Sequence, residues 1–178
     1  SSLPKLKLKE FTGDRLEWPE WSSLFNAVIH NAPVDDNTKL SHLKTLVKDK
    51  AKAAIAGFGY SGALYHTAWQ TLERNFGRPQ SLVNAQMRQI YQFPFIKSHD
   101  SISINKYSQL ISTCVSVLNQ YGFTGDLCSE SVLSAAVRKL PPELKTKWLF
   151  HAKGRCYLTA NLSNISEWLN EVAYVHDE

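Results

Sequence analysis

The stretch Phe11-Thr12-Gly13-Asp14-Arg15-Leu16-Glu17-Trp18-Pro19-Glu20-Trp21-Ser22-Ser23-Leu24-Phe25 decides how the rest of the chain is read. Proline has a fixed φ and no N–H, so Pro19 suits the first turn of a helix. Trp18, Trp21, Phe25, Val28 and Ile29 then recur at spacings of three and four, which makes one apolar helical face. Asp14, Glu17 and Glu20 gather negative charge around the helix start, where the macrodipole favours it. Pro33 ends the element. The expectation is a helix with Trp21, Phe25 and Val28 in a core and Glu20, Ser23 and Asn26 on its polar face. Trp18, beside a loop, is a candidate for the exposed side.

The same periodicity runs outward from this block. Asp35 or Asp36 can cap a second helix striped by Leu40, Leu43, Leu46 and Val47. Ala51, Ala54 and Ile55 mark a short third, with Gly57 placed to close it. Tyr65, Ala68, Trp69, Leu72 and Phe76 form a fourth. Gly77-Arg78-Pro79 follows and predicts a boundary between residues 1–78 and 79–178. Beyond it come helices near Ser81–Tyr91 and Ser101–Tyr121, then one capped by Ser129 and bearing Leu133, Ala136, Val137 and Leu140. Two more begin after Pro141-Pro142 and near Ser163, the last carrying Ile165, Trp168, Leu169, Val172 and Val175. Phe93-Pro94-Phe95 interrupts the pattern and Gly122 stops the longest helix. The prediction is all-α: two small helical lobes with about nine helices.

Composition fits a folded chain of this kind. At 178 residues, 43% hydrophobic and 20% charged, it is long enough for two small cores and ordinary in polarity. The longest apolar runs fall short of the roughly 20 residues that a membrane helix needs. The start of the chain shows no apolar signal-peptide region. A soluble, cytoplasmic chain with no membrane partner is the expectation, and Ser1-Ser2 reads as a scar of excision from a longer one. Cys114, Cys128 and Cys156 are widely spaced and odd in number, which suits free thiols rather than disulfides or a zinc site.

Catalytic patterns are missing. Gly57, Gly59 and Gly62 spell a G-x-G-x-x-G, but that fingerprint needs a preceding strand and a helix N-terminus for the pyrophosphate. Here it follows an Ala-rich helix and reads as a helix–helix loop. His30, His42, His66, His99, His151 and His176 stand singly. No Asp-Thr-Gly or G-x-S-x-G occurs. No enzyme activity, cofactor or metal is therefore expected. The repeat of Phe11-Thr12-Gly13-Asp14 as Phe123-Thr124-Gly125-Asp126 reads as ordinary turn chemistry. The net charge of +4 is mild. It gathers at Lys5, Lys7 and Lys9 and at Lys44, Lys48, Lys50 and Lys52, the second group reading as a solvated helix face; weak, salt-sensitive RNA contact is compatible with this charge but not argued by it alone. What is in excess is aromatic: five Trp, seven Tyr and eight Phe. Trp and Tyr are enriched at interface hot spots, although Trp69, Trp148 and Trp168 lie on strong stripes and belong to cores.

On Phe11-Thr12-Gly13-Asp14, Leu16 to Trp21 and Phe25, preceded by Leu3-Pro4-Lys5-Leu6-Lys7-Leu8, the chain resembles the capsid region of Gag from Bel/Pao-type LTR retrotransposons. Further matches are Lys39-Leu40 with Leu43 and Leu46, Ala51 to Gly57, and Leu72 with Phe76-Gly77 and Pro79. Leu140-Pro141 with Trp148, and Ile165 to Val172, extend the resemblance over essentially the whole chain. Its first block is the specific part. Gln92 to Tyr107 takes the place of the retroviral major homology region, with its Gln/Glu/Arg pattern largely missing.

The resemblance implies an N-terminal and a C-terminal capsid-like lobe. It implies self-assembly into pentamers and hexamers through the first lobe and two-fold contacts through the second, closing a shell around the element's RNA. First-lobe helices line the capsomer centre in such proteins, which makes Glu20, Ser23 and Asn26, with Trp18, Lys44 and Lys48, the candidate assembly interface. No zinc knuckle is present, so RNA would be held weakly or by regions outside this chain. A domesticated adaptor whose first lobe binds a partner peptide is the alternative, and an apolar groove beside Lys5–Phe11 would favour it.

Overall fold

The computed structural model describes residues 4–155 and 160–176, with side chains in the last helix described as far as Ala173. Leu3 and Cys156 lie outside the described residues, as does the side chain of Val175. The chain is all-α: 71% is helical. Helix α1 (Trp18–Phe25) runs into a π-helical turn, Asn26–His30. There follow α2 (Asp36–Leu46), α3 (Asp49–Ile55), a 3-10 turn (Gly62–Leu64) and α4 (Tyr65–Phe76). The rest comprises α5 (Pro79–Gln92), α6 (Ser101–Gln120), α7 (Thr124–Leu127), α8 (Glu130–Arg138), α9 (Pro142–Gly154) and α10 (Leu162–His176). The chain divides into two compact units, Ser1–Leu82 and Val83–Glu178, and the division falls within α5.

Local chemistry explains the helix ends. The Asp35 carboxylate accepts from Thr38 N at 2.8 Å, and Asp100 does the same for Ser103 N at 3.1 Å. At the start of α10, Asn161 and Asn164 exchange hydrogen bonds reciprocally at 2.9 and 3.1 Å. Gly122 ends α6 with φ of 74°. Its N–H reaches Asn119 O, and Phe123 N reaches Leu118 O at 2.9 Å, the paired bonds of a left-handed C-cap. Gly57 and Gly77 end their helices without that conformation, and Pro79 opens α5 rather than standing beyond a cap. A proline needs no hydrogen bond there, so α5 starts two residues earlier than its apolar stripe suggests.

In the first unit the core is built on aromatic rings. Phe11 is fully buried and meets Trp18, Trp21 and Phe76 at ring-centroid distances of 5.3, 5.0 and 5.4 Å. Leu40, Leu43, Ile55, Tyr65 and Leu72 complete it, with α2 and α3 packed on α4. Phe11 is also tied through its backbone: its N–H donates to Leu46 O at 2.7 Å and its carbonyl accepts from Lys48 N at 2.8 Å. This single parallel bridge to Val47 is the only strand-like pairing among the described residues.

In the second unit α6 is the spine and packs chiefly on α10. Ile104, Tyr107, Ile111, Cys114 and Leu118 are fully buried along it, against Trp148, Ile165 and Leu169. The Tyr107 hydroxyl donates to Ala136 O at 2.6 Å, so its polar end is satisfied inside the core. One apolar face differs from expectation. Helix α8 turns Val132, Ala135 and Ala136 inward and leaves Leu133 and Val137 half-buried. Two one-residue-shifted stripes exist on that helix, and contact with α10 selects the smaller side chains. The second Phe-Thr-Gly-Asp forms α7 itself, whereas the first is extended with Gly13 at φ of 106°. The two copies of the repeat are therefore unlike in backbone.

Candidate functional site

The two faces of the Phe11–Phe25 block do different things. Trp18 and Trp21 are each 5% exposed and Phe25 is fully buried. Val28 is only half-buried, and Ile29 takes the inward position at the π-helical turn. The Trp21 indole N–H donates to Lys9 O at 2.8 Å. The lead strand from Lys9 to Phe11 is thereby packed on its own unit rather than left to reach another copy.

Of the six residues singled out for assembly, Glu20 and Ser23 are exposed and Asn26 is half-buried, on the side of α1 away from the core. Trp18 is a correction: it is enclosed by Phe11, Trp21, Trp69 and the Gly77 backbone, so its ring cannot face a neighbour. A tryptophan at a helix start reads as exposed only while the partners that cover it, from α4 and from residue 11, are unknown. Trp69 itself is half-buried, stacked on Phe25 at 5.0 Å.

Lys44 and Lys48 lie at another place on the unit. The Lys44 ammonium donates to Phe58 O and, at 3.4 Å, to Gly59 O, and sits 4.1 Å above the Tyr60 ring. Lys48 pairs with Glu10 at 3.8 Å. Both border a groove of about 460 Å³ with Lys52, Ile55 and Tyr60. A second, apolar cleft of about 500 Å³ runs beside the lead strand, lined by Leu6, Leu8, Val28, Ile29, Val34 and Leu46.

Two histidines that look isolated in sequence meet in space. His30 Nδ1 and the Tyr65 hydroxyl share a hydrogen bond of 2.7 Å, and the His30 and His66 rings are 6.2 Å apart. His66 Nε2 lies 3.7 Å from an Asp36 carboxylate oxygen. Burial, with Asp36 adding to it, pushes the Tyr65 hydroxyl up to about 12, so it stays protonated. This pairing spans 35 residues and has no local signal. Gly57, Gly59 and Gly62 sit between α3 and α4 with no strand before them, and a Cβ on Gly62 would lie 2.7 Å from Asn37 N. Close packing therefore requires only Gly62 of the three, since a Cβ on Gly57 or Gly59 would meet nothing within 4 Å. Among the described residues no group of His, Cys, Asp and Glu is placed to hold a metal ion, and no helix is long and apolar enough to cross a membrane.

No curated protein and no solved structure matches the chain. A family model does, over residues 11–155, from the fully buried Phe11 in the first unit to the end of α9 in the second. Its description is a protein of unknown function (DUF1759), and the family is found in retrotransposon Gag-Pol-like proteins. A match over that much of both helical units makes the chain a member of the DUF1759 family.

Proposed function

We propose that this chain is the capsid-type structural region of a Bel/Pao-type retrotransposon Gag polyprotein. Copies of it assemble in the cytoplasm into a shell around the element's RNA. Pentamers and hexamers form through the first unit, with Glu20, Ser23 and Asn26 at the contacts, and two-fold contacts form through the second. The observation that carries this reading is the two-sided Phe11–Phe25 block. One side founds the first core through Phe11, Trp18, Trp21 and Phe25, while the other leaves a rigid polar helix face open to solvent. A family match that begins at Phe11 and reaches into the second unit as far as the end of α9 supports it. Closed symmetric assembly reuses one surface many times, so each contact can be weak. Neither a catalytic step nor a cofactor enters this function. Static light scattering over rising protein and salt concentration tests it: mass should climb in a cooperative step, and a constant monomer mass throughout would rule it out.

A second reading has its own support. The apolar cleft beside the lead strand, bordered by Leu6, Leu8, Val28, Ile29, Val34 and Leu46, suits an apolar side chain of a partner peptide. On that reading the chain is a domesticated adaptor. Selection of peptides from a display library on the purified chain, with loss of binding in Val28→Asp, would favour it over a shell.

A further inference from the structure

We propose that the groove between α2, α3 and the loop at Tyr60 is a binding site for single-stranded nucleic acid. Its charged lining is three lysines, Lys44, Lys48 and Lys52, with no acidic residue among them. Its aromatic lining is Tyr60, a residue 65% exposed. A basic groove with a flat exposed ring is the combination that holds unpaired bases by stacking and tracks their phosphates by charge.

The geometry makes this more than a lysine-rich surface. Lys44 is fixed by the Phe58 and Gly59 carbonyls and holds its ammonium 4.1 Å over Tyr60. A cation therefore covers one face of the ring, and the 65% exposure of Tyr60 leaves surface on which a base could stack. Stacking there would place the base on a ring already oriented, at little entropic cost. Among the described residues the Lys48 ammonium pairs with Glu10, at 3.8 Å and with side chains 41% and 58% exposed. Such a surface pair is weak and screened by salt, so a phosphate can displace the carboxylate. Lys52, exposed on α3, extends the positive line along the groove. Ile55 and Ala56 give the floor an apolar part, which suits sugar and base edges better than it suits a free inorganic anion.

The site names the RNA contact within the proposed shell. It rests on that reading for its biological meaning, but binding can be read on the monomer. The test uses fluorescence anisotropy of the whole chain with a labelled 12-mer oligouridine from 50 to 300 mM NaCl, at protein concentrations where light scattering shows one mass. Affinity should fall as salt rises. Each of Lys48→Gln and Lys52→Gln should reduce the slope of log affinity against log salt by about 0.7. Tyr60→Ala should weaken binding about fivefold or more, and Tyr60→Phe should retain it. A duplex RNA of equal length should bind more weakly and be indifferent to Tyr60→Ala. Absence of binding at 50 mM salt, or equal binding by Tyr60→Ala and wild type, would overturn the proposal whether or not the chain assembles.

Discussion

The Trp18 indole lies against the bare backbone of Gly77, so that a Cβ added there would fall 2.8 Å from Trp18 Cε2 and 2.9 Å from the Glu73 carbonyl oxygen. The start of α1 and the end of α4 thus touch through a residue without a side chain. Gly77 is demanded by this approach and not by its backbone angles, which any residue can adopt (φ −112°, ψ 10°).

Gly77→Ala should therefore destabilise the first unit by about 1–3 kcal/mol, because neither an indole nor a helix carbonyl can yield cheaply. Gly57→Ala is the control, since nothing lies within 4 Å of its added Cβ, and it should stay within about 0.5 kcal/mol of wild type. Thermal unfolding followed by circular dichroism checks both. Equal melting of Gly77→Ala and wild type would disprove the close approach.

Cysteine reactivity should separate by burial. Cys114 is fully buried with its thiol 3.4 Å from Gln86 O, and burial pushes it up to about 12. Cys128 is exposed. Because the thiolate is the reactive form, iodoacetamide at pH 8 should label Cys128 in the native protein and Cys114 only after unfolding. Peptide mass mapping distinguishes the sites, and native labelling of Cys114 at the rate of Cys128 would contradict the second core.

Three carboxylates at helix starts, the caps Asp35 and Asp100 and the first-turn Glu143, should contribute to acid stability. Thr38 side-chain and backbone hydrogen bonds hold Asp35 below its ordinary value of 3.8, and Ser103 does the same for Asp100. Glu143 is held below 4.5 by its own backbone N–H and then by the Ser98 hydroxyl. A depressed folded value means that the stabilisation is fully present above the unfolded value and is lost as pH falls through the folded one. The melting temperature should thus decline below about pH 4.5, and more shallowly in Asp35→Ala/Asp100→Ala. An unchanged acid limb in that variant would remove the caps from the explanation.

Glu20→Arg/Ser23→Arg should raise the protein concentration needed for assembly by on the order of tenfold, since like charges then face each other around each capsomer. Both residues are exposed, so melting should move by no more than about 0.5 kcal/mol equivalent. Light scattering and calorimetry on the same samples read the two effects. Normal assembly by the variant would move the contact elsewhere.

Helices were legible in the sequence because their signals are local. Pro19, Asp35, Ser129 and Gly122 act within one turn, and each stands at the end it predicts. Side-chain periodicity likewise found the α6 face from Ile104 to Leu118. What escaped depends on residues far apart in the chain. Burial of Trp18 needs Phe11, Trp69 and Gly77. The α8 face needs α10, and the His30–Tyr65 bond needs two helices to meet. The lysine groove was visible only as a charge run, since Tyr60 comes beside Lys44 through the loop after α3. Interfaces between copies leave no periodic mark, so Glu20 and Ser23 rest on their exposure and on the family resemblance.

Assembly is best decided by negative-stain electron microscopy of the purified chain at high protein and salt concentration, with two-dimensional averaging of whatever particles form. Closed shells or tubes with five-fold or six-fold capsomers are the predicted result. Fields showing only single copies of about 20 kDa under every condition tried would contradict a capsid function.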